Sequence, residues 1–377
     1  MLSYWEKNFF TNLDYVIIGS GILGLSTACS IKEKNPDAEI LIVERGIIPS
    51  GASTKNAGFF TFGSLTEILA DISRLGEDAA AGLVEKRMKG IHLLRSRLGD
   101  DKIGYDNYGG YELINEKYLP SLENIGYVND ILRNIFKGDA FIVKNELIKE
   151  FGFNNNFVKA LVCSPYESQI DTGKMMNGLL KYARSLGINT LNGCEIKTVE
   201  NKGDYVELLA HHKILDGNLV IRTKNVIAAV NAFVKNLFPN MDIVPGRGHV
   251  LITKPVPNLN LKGVFHFDEG YYYFRNYKNR VLLGGGRNLD FKSEETTSFE
   301  FNQMILNALK DFLTSVIMPG QHFEIEQCWT GIMAFTKDKL PVIKRYNERI
   351  IAAISCNGMG IALSSYIAEE LVNELSL

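Results

Sequence analysis

The chain of 377 residues is short of the residue types that announce a metal centre, a disulfide scaffold or a hydrolytic triad. Its five cysteines, Cys29, Cys163, Cys194, Cys328 and Cys356, are odd in number, widely spaced and never in a C-x-x-C pair. Neither a zinc site nor a disulfide framework is expected, and a reducing compartment fits. The six histidines are isolated apart from His211-His212, for which a surface role is expected. No Ser-His-Asp or paired-carboxylate pattern is visible, and no metal site is expected. An excess of one sign of charge is missing as well: 41 Lys+Arg stand against 43 Asp+Glu, a net charge of −2. No global field draws the protein onto a nucleic acid or an anionic membrane, so neither is expected as a partner. Two uncharged stretches, residues 15–31 and 350–368, approach the roughly 18-residue length of a membrane span. Both are interrupted by glycine and hydroxyl residues (Gly19, Gly21 and Gly24; Gly358, Gly360, Ser364 and Ser365), so each reads as a buried strand, a glycine turn and a helix. No membrane span is expected. Residues 1–14 lack a basic-then-apolar signal layout, and the cytoplasm is the expected location.

What is present is an ordinary globular composition, 46% hydrophobic and 22% charged, with one excess: 34 glycines, about 9% against a typical ~7%. The length corresponds to one large or two interleaved domains. Residues 15–18 form a short β-branched run, residues 23–35 a helical stretch ended by Pro36, and residues 39–44 a second buried strand, together a βαβ unit of a parallel sheet. Residues 65–98 have helical spacing, 108–114 read as a strand, 171–186 as a helix closed by Gly187, and 188–190 and 195–199 as short strands. Residues 225–230 return an apolar core strand. From 247 to 287 the period shifts toward two, with 271–275 and 280–284 as an antiparallel pair. Residues 350–354 are the last core strand and 362–375 the last helix. The predicted fold is α/β: a Rossmann-like parallel-sheet domain built from residues 1–85, 160–243 and 326–377, with a mainly antiparallel β substrate domain, residues 86–159 and 244–325, inserted between them.

Gly19-Ser20-Gly21-Ile22-Leu23-Gly24 matches G-x-G-x-x-G directly after a strand and before a helix, and Glu44 closes the next strand 20 residues after Gly24, followed by Arg45. The first glycine permits the tight turn, the second lets a pyrophosphate approach the backbone, and the third lets helix and strand pack closely. The helix N-terminus then faces the phosphates, and Glu44 accepts from a ribose diol. A bound adenine dinucleotide is expected. Glu44 would repel a 2′-phosphate, which disfavours NADP.

Two further segments carry a resemblance. Gly51-Ala52-Ser53-Thr54-Lys55-Asn56-Ala57-Gly58 stands where the FAD-dependent D-amino-acid oxidase superfamily (glycine oxidase, sarcosine oxidase and glutamylputrescine oxidase types) has its G-x-S-x-x-N-x-G loop. The stretch from Trp329 and Gly331 to Thr336, Asp338 and Pro341 is similar to that family's W-x-G-x-x-x-x-T-x-D-x-x-P segment, and Gly358-Met359-Gly360-Ile361 to its closing G-x-G turn and helix. The resemblance spans the chain and implies FAD as cofactor, an isoalloxazine over the loop containing Ser53, Lys55, Asn56, Ala57 and Gly58, and a position for Gly331 and Ile332 beside it. Backbone N–H groups near Gly360 would stabilise charge on the reduced ring. Ile196 and Asn231 match positions on the dinucleotide side. The cysteine that links flavin covalently in sarcosine oxidases is matched by Gly331, so covalent attachment there is not expected.

The resemblance implies oxidation of a C–N bond by hydride transfer to flavin, with the imine then hydrolysed, while the protein chiefly orients the substrate. Tyr271 takes the place of a pocket tyrosine, and Tyr273 and Arg275 share its face by period two. Where glycine oxidase has its carboxylate-clamping arginine this chain has Met333, which cannot pair with a carboxylate. Arg287 follows Gly284, Gly285 and Gly286 at a place where glycine oxidase has an apolar residue, and is the candidate replacement anchor. Arg247 and His249 lie near the start of the inserted sheet with no role assigned. The expected substrate is a small amine or amino acid, with a 2-hydroxy acid as alternative; a flavin-binding electron-transfer subunit without its own substrate is the third reading. The electron acceptor, oxygen or a quinone, is left open.

Overall fold

The computed structural model describes residues 3–212, 217–354 and 357–375; Cys356 lies outside them. The first sheet has five parallel strands at its heart, in the order Ile350–Ile354, Gly217–Ala228, Leu13–Ile18, Ile40–Glu44 and Asn189–Asn192, with Val342–Arg345 antiparallel at one edge. Leu13–Ile18, Ile40–Glu44 and Ile350–Ile354 are covered on both faces, which is why they read as apolar runs. Tyr15, Ile17, Ile40 and Ile42 pack under the helices Ile22–Lys34, Glu77–Leu98, Thr172–Ser185 and Gly360–Glu374. Val16, Ile18, Leu41 and Val43 face the opposite layer, where Ile196, Leu208 and Ile221 come from an antiparallel ribbon.

The second sheet has the order Ile325–Phe335, Val244–Thr253, Arg280–Gly285, Tyr272–Tyr277, Val264–Phe267, Gly110–Ile114, Ala160–Ser164 and Ile142–Val143. It is antiparallel except where Val264–Phe267 runs parallel to Gly110–Ile114. An aromatic core with Phe153, Phe265, Phe274 and Phe312 backs it.

Three features depart from the pattern read in the sequence. The helical stretch 65–98 is two helices, Leu65–Leu75 and Glu77–Leu98, because Gly76 adopts φ +86° and serves both ends. Strands Ala160–Ser164 and Ile325–Phe335, assigned from sequence almost wholly to the cofactor-binding part, pair instead into the second sheet. Ala160–Ser164 is buried at every position, so alternation offers no clue to which sheet takes it. Gly217–Ala228 is twelve residues long; its outer half pairs with Val206–His212 and only its inner half enters the parallel core. No helix among the described residues is long and apolar enough to cross a membrane.

Candidate active site

A continuous cavity lies between the two sheets. It starts at the carboxyl ends of the parallel strands, beside Ile18, Glu44, Ala229 and Ile354, and reaches the face of the second sheet at Tyr273, Arg287 and Met333. Ligands in open α/β sheets bind in this crevice.

At the first end the glycines have separate tasks. Gly19 takes φ +102°, and a Cβ there would stand 2.7 Å from Ala229 O. A Cβ on Gly24 would lie 2.0 Å from Gly19 O, so this glycine sets the helix-to-strand approach and does not itself line the cavity. Gly21 is the N-cap of Ile22–Lys34, with no side-chain cap of its own; Ser53 Oγ accepts from Ile22 N at 2.9 Å. The helix Gly360–Glu374 also starts without a side-chain cap, at Met359, whereas Ser64, Asp171 and Asn302 cap their helices. Two helix N-termini whose own N-cap residues give no side-chain cap thus open on the cavity, each suited to an anionic group.

Glu44 is buried and lines the cavity. Its carboxylate accepts from Ser20 N (3.1 Å), Ser20 Oγ (2.8 Å), Gly46 N (2.8 Å) and Ser50 Oγ (2.9 Å). Ser20 therefore acts by holding Glu44, since it is fully buried and off the cavity wall. The Arg45 guanidinium lies 3.7 Å from the Phe233 ring centre, and both line the cavity with Ile196 and Asn231.

The loop from Ser53 to Gly58 is held from several sides. Asn56 Oδ1 accepts from Gly58 N (2.9 Å) and Thr172 Oγ1 (2.8 Å), and Asn56 Nδ2 donates to Ser53 O (2.7 Å). The indole of Trp329 donates to Lys55 O at 2.9 Å, which ties the Trp329 segment to a loop more than 270 residues away in sequence. Ser53, Lys55, Asn56 and Ala57 line the cavity with Gly331, Ile332, Gly358, Met359, Gly360 and Ile361; Gly58 does not.

On the second sheet, Tyr271, Tyr273, Arg287 and Met333 all line the cavity. Tyr273 lies over Gly284, where a Cβ would meet its ring at 2.5 Å; burial pushes its phenol up to about 12, so it remains a hydrogen-bond donor at neutral pH. Arg287 lies 3.8 Å from the ring centre of Phe335 and 4.9 Å from that of Phe291. Burial lowers its pKa, against the opposing pull of Tyr271. Among the described residues no carboxylate pairs with it and no hydrogen bond engages it.

Arg275 is placed elsewhere than expected. It shares the strand face of Tyr273 but sits one step beyond the cavity, where its Nη1 donates to Ile170 O (2.8 Å) and Gly58 O (3.3 Å). It braces the underside of the loop. Arg247 and His249 also point away from the cavity: Arg247 makes a bidentate pair with Glu294 (2.8 Å each), and Asn302 N donates to His249 Nε2 at 2.9 Å. The alternate residues Gly246 and Gly248 face inward and leave the room taken by Arg287, Phe335 and Met333. The cavity wall further contains Phe59, Glu67, Arg87, His266, Glu269 and Lys339, none of which the sequence singled out. They come from separate elements, and no local spacing links them.

The model of the DAO family, described as FAD dependent oxidoreductase, matches residues 14–374. Probable oxidoreductase OrdL of Haemophilus influenzae is 24% identical over 389 aligned positions, covering 97% of this chain and 83% of that protein. Among solved structures, glycine oxidase from Geobacillus kaustophilus has a TM-score of 0.77 at 19% identity, covering 97% of this chain and 94% of the other. L-proline dehydrogenase from P. horikoshii has a TM-score of 0.76 at 16% identity, with the same coverage.

Proposed function

The chain belongs to the DAO family of FAD-dependent oxidoreductases, and from that premise we propose that it oxidises the C–N bond of a small amine or amino acid, with release of the hydrolysed imine. When bound, FAD supplies the two-electron acceptor for this oxidation. The cavity fits such a group at both ends: Gly19, at φ +102°, and Gly21 line it with bare backbone at one end, and at each end a helix starts from an N-cap residue that gives no side-chain cap. In this reading Gly19, Gly21 and Ile22 receive the pyrophosphate, Glu44 the ribose diol, and Arg45, Ile196 and Asn231 the adenosine side. Ser53, Lys55, Asn56, Ala57, Gly331 and Ile332 bound the flavin, with Gly358, Met359, Gly360 and Ile361 at its pyrimidine edge. Ser20, Gly24 and Gly58 hold the backbone of these groups in place.

Tyr271, Tyr273 and Met333 form the wall against which substrate is held, and their work is orientation and exclusion of water. The observation that carries the reading is Arg287: a half-buried guanidinium on the cavity wall, flanked by two aromatic rings and, among the described residues, without an acidic partner. A planar cation so placed receives a carboxylate. Met333 lines the same cavity from Ile325–Phe335, which Val244–Thr253 separates from Arg280–Gly285, and its thioether cannot pair with a carboxylate, which leaves that task to Arg287. Arg287→Ala is expected to raise the Michaelis constant of an amino acid by about ten- to a hundredfold, the loss of one charge-assisted contact, with flavin content unchanged. An unchanged constant contradicts the assignment.

A further inference from the structure

Four carboxylates gather where the helix Leu65–Leu75 meets the second sheet, and three are fully engaged. Glu112 accepts from Ser64 Oγ (3.0 Å), from Thr66 N (3.2 Å) and from the Thr66 hydroxyl. Glu167 accepts from Phe62 N (3.1 Å) and Gly63 N (3.2 Å) and pairs with His266 Nε2 (3.0 Å). Asp71 accepts from Arg74 Nη2 at 2.5 Å. Glu67 differs: among the described residues no donor hydrogen-bonds to its carboxylate. Its nearest cation, Arg87 Nη2, is 3.8 Å from Oε1, and that guanidinium already donates to Phe62 O (2.7 Å) and lies 3.6 Å from Asp71.

The second oxygen of Glu67 is turned to the cavity. It stands 3.2 Å from where a Cβ on Gly270 would be, next to Tyr271 on the wall. The Glu67 side chain is 18% exposed and lines the cavity, so its carboxylate is open to a donor that a ligand brings. Tyr271 lies within electrostatic reach of Arg287 and of Glu269, Asp268 and Glu67, and Glu67, Tyr271 and Arg287 line one cavity.

We infer that Glu67 receives the substrate's ammonium group while Arg287 receives a carboxylate, so that the cavity selects an amino acid over a simple amine or a 2-hydroxy acid. This rests on the amine-oxidation reading above and adds the substrate class to it. Glu67 pairs with an ammonium only when ionised. Burial raises its carboxyl, Asp71 adds to this, and Arg87, His266 and Lys339 pull the other way, with a net rise; Glu269 and Tyr271, on either side of Gly270, line the cavity with it. Affinity for the amino acid is therefore present above this raised value and lost as pH falls through it.

The test uses the holoenzyme with Glu67→Gln and Glu67→Asp. A panel of L- and D-amino acids is screened for anaerobic flavin bleaching, and propionate, which has the carboxylate and no amine, is titrated by its effect on the flavin spectrum. For an amino acid that bleaches the wild type, Glu67→Gln is expected to raise the Michaelis constant about tenfold or more and to abolish the acid limb of its pH profile. Glu67→Asp should keep that limb, and propionate affinity should stay within about twofold. A Michaelis constant within about twofold in Glu67→Gln, or an equal loss for propionate, overturns the role of Glu67 and leaves C–N oxidation standing. Bleaching of the wild type by 2-hydroxy acids and by no amino acid overturns both.

Discussion

Gly51 and Gly58 bracket the same loop, yet the structure predicts opposite outcomes when each becomes alanine. Gly58 has φ +76°, and a Cβ there would stand 2.3 Å from Ile170 O, 3.1 Å from Thr172 Oγ1 and 3.3 Å from Arg275 Cζ. The positive φ costs an alanine about 1–2 kcal/mol, and forcing a methyl into packed backbone adds about 1–3 kcal/mol. The neighbours cannot yield cheaply, because Ile170 N donates to Gly58 O and Arg275 bridges both carbonyls. Gly51 has φ −81° and nothing within 4 Å of its Cβ position, so alanine there is strain-free. At about 1.3 °C per kcal/mol for a chain of 377 residues, Gly58→Ala should lower the Tm of the flavin-free protein by about 3–6 °C. Gly51→Ala should leave it within about 1 °C. Differential scanning calorimetry of the three apoproteins decides the matter. Equal shifts for the two variants would refute the reasoning that Gly58, and not Gly51, closes the loop.

Two further outcomes follow from buried charge. Glu294→Ala leaves the buried Arg247 guanidinium and Asn302 Nδ2 without their acceptor, a loss of about 3–5 kcal/mol that urea unfolding would show; a loss under about 1 kcal/mol contradicts the pairing. His266 is pulled down by burial but raised overall by Glu167, with Glu67 and Glu112 assisting. A raised histidine contributes stability that is full below its unfolded value of about 6.5 and is lost as pH rises through the folded value. Denaturation curves across that range should therefore show a falling stability in the wild type that His266→Gln flattens, and parallel pH dependences in the two proteins would count against it.

The end of the cavity at the parallel strands was legible in the sequence because its parts are contiguous: a strand, three glycines and a helix in close succession, with Glu44 ending the next strand. The end at the second sheet was legible only where a strand carries it. Period two places Tyr273 and Arg275 on one face, but it says nothing about how far along that face the cavity extends, and Arg275 falls past its edge. In Val244–Thr253 the charged Arg247 and His249 draw attention, while period two sends them away from the cavity and turns Gly246 and Gly248 inward. Glu67 escaped because an acid in the first turn of a helix after Ser64 reads as an ordinary N-terminal residue. Only the approach of Gly270, Tyr271 and Arg87 from distant parts of the chain marks it.

The central claim is that this member of the DAO family takes electrons from a carbon bearing nitrogen. The most direct measurement mixes the oxidised holoenzyme with amines, amino acids and 2-hydroxy acids under anaerobic conditions and follows the flavin absorption. The account predicts bleaching by an amino acid, with ammonia or a smaller amine as product. Bleaching by hydroxy acids alone, or a flavin that none of the three classes reduces, would contradict it.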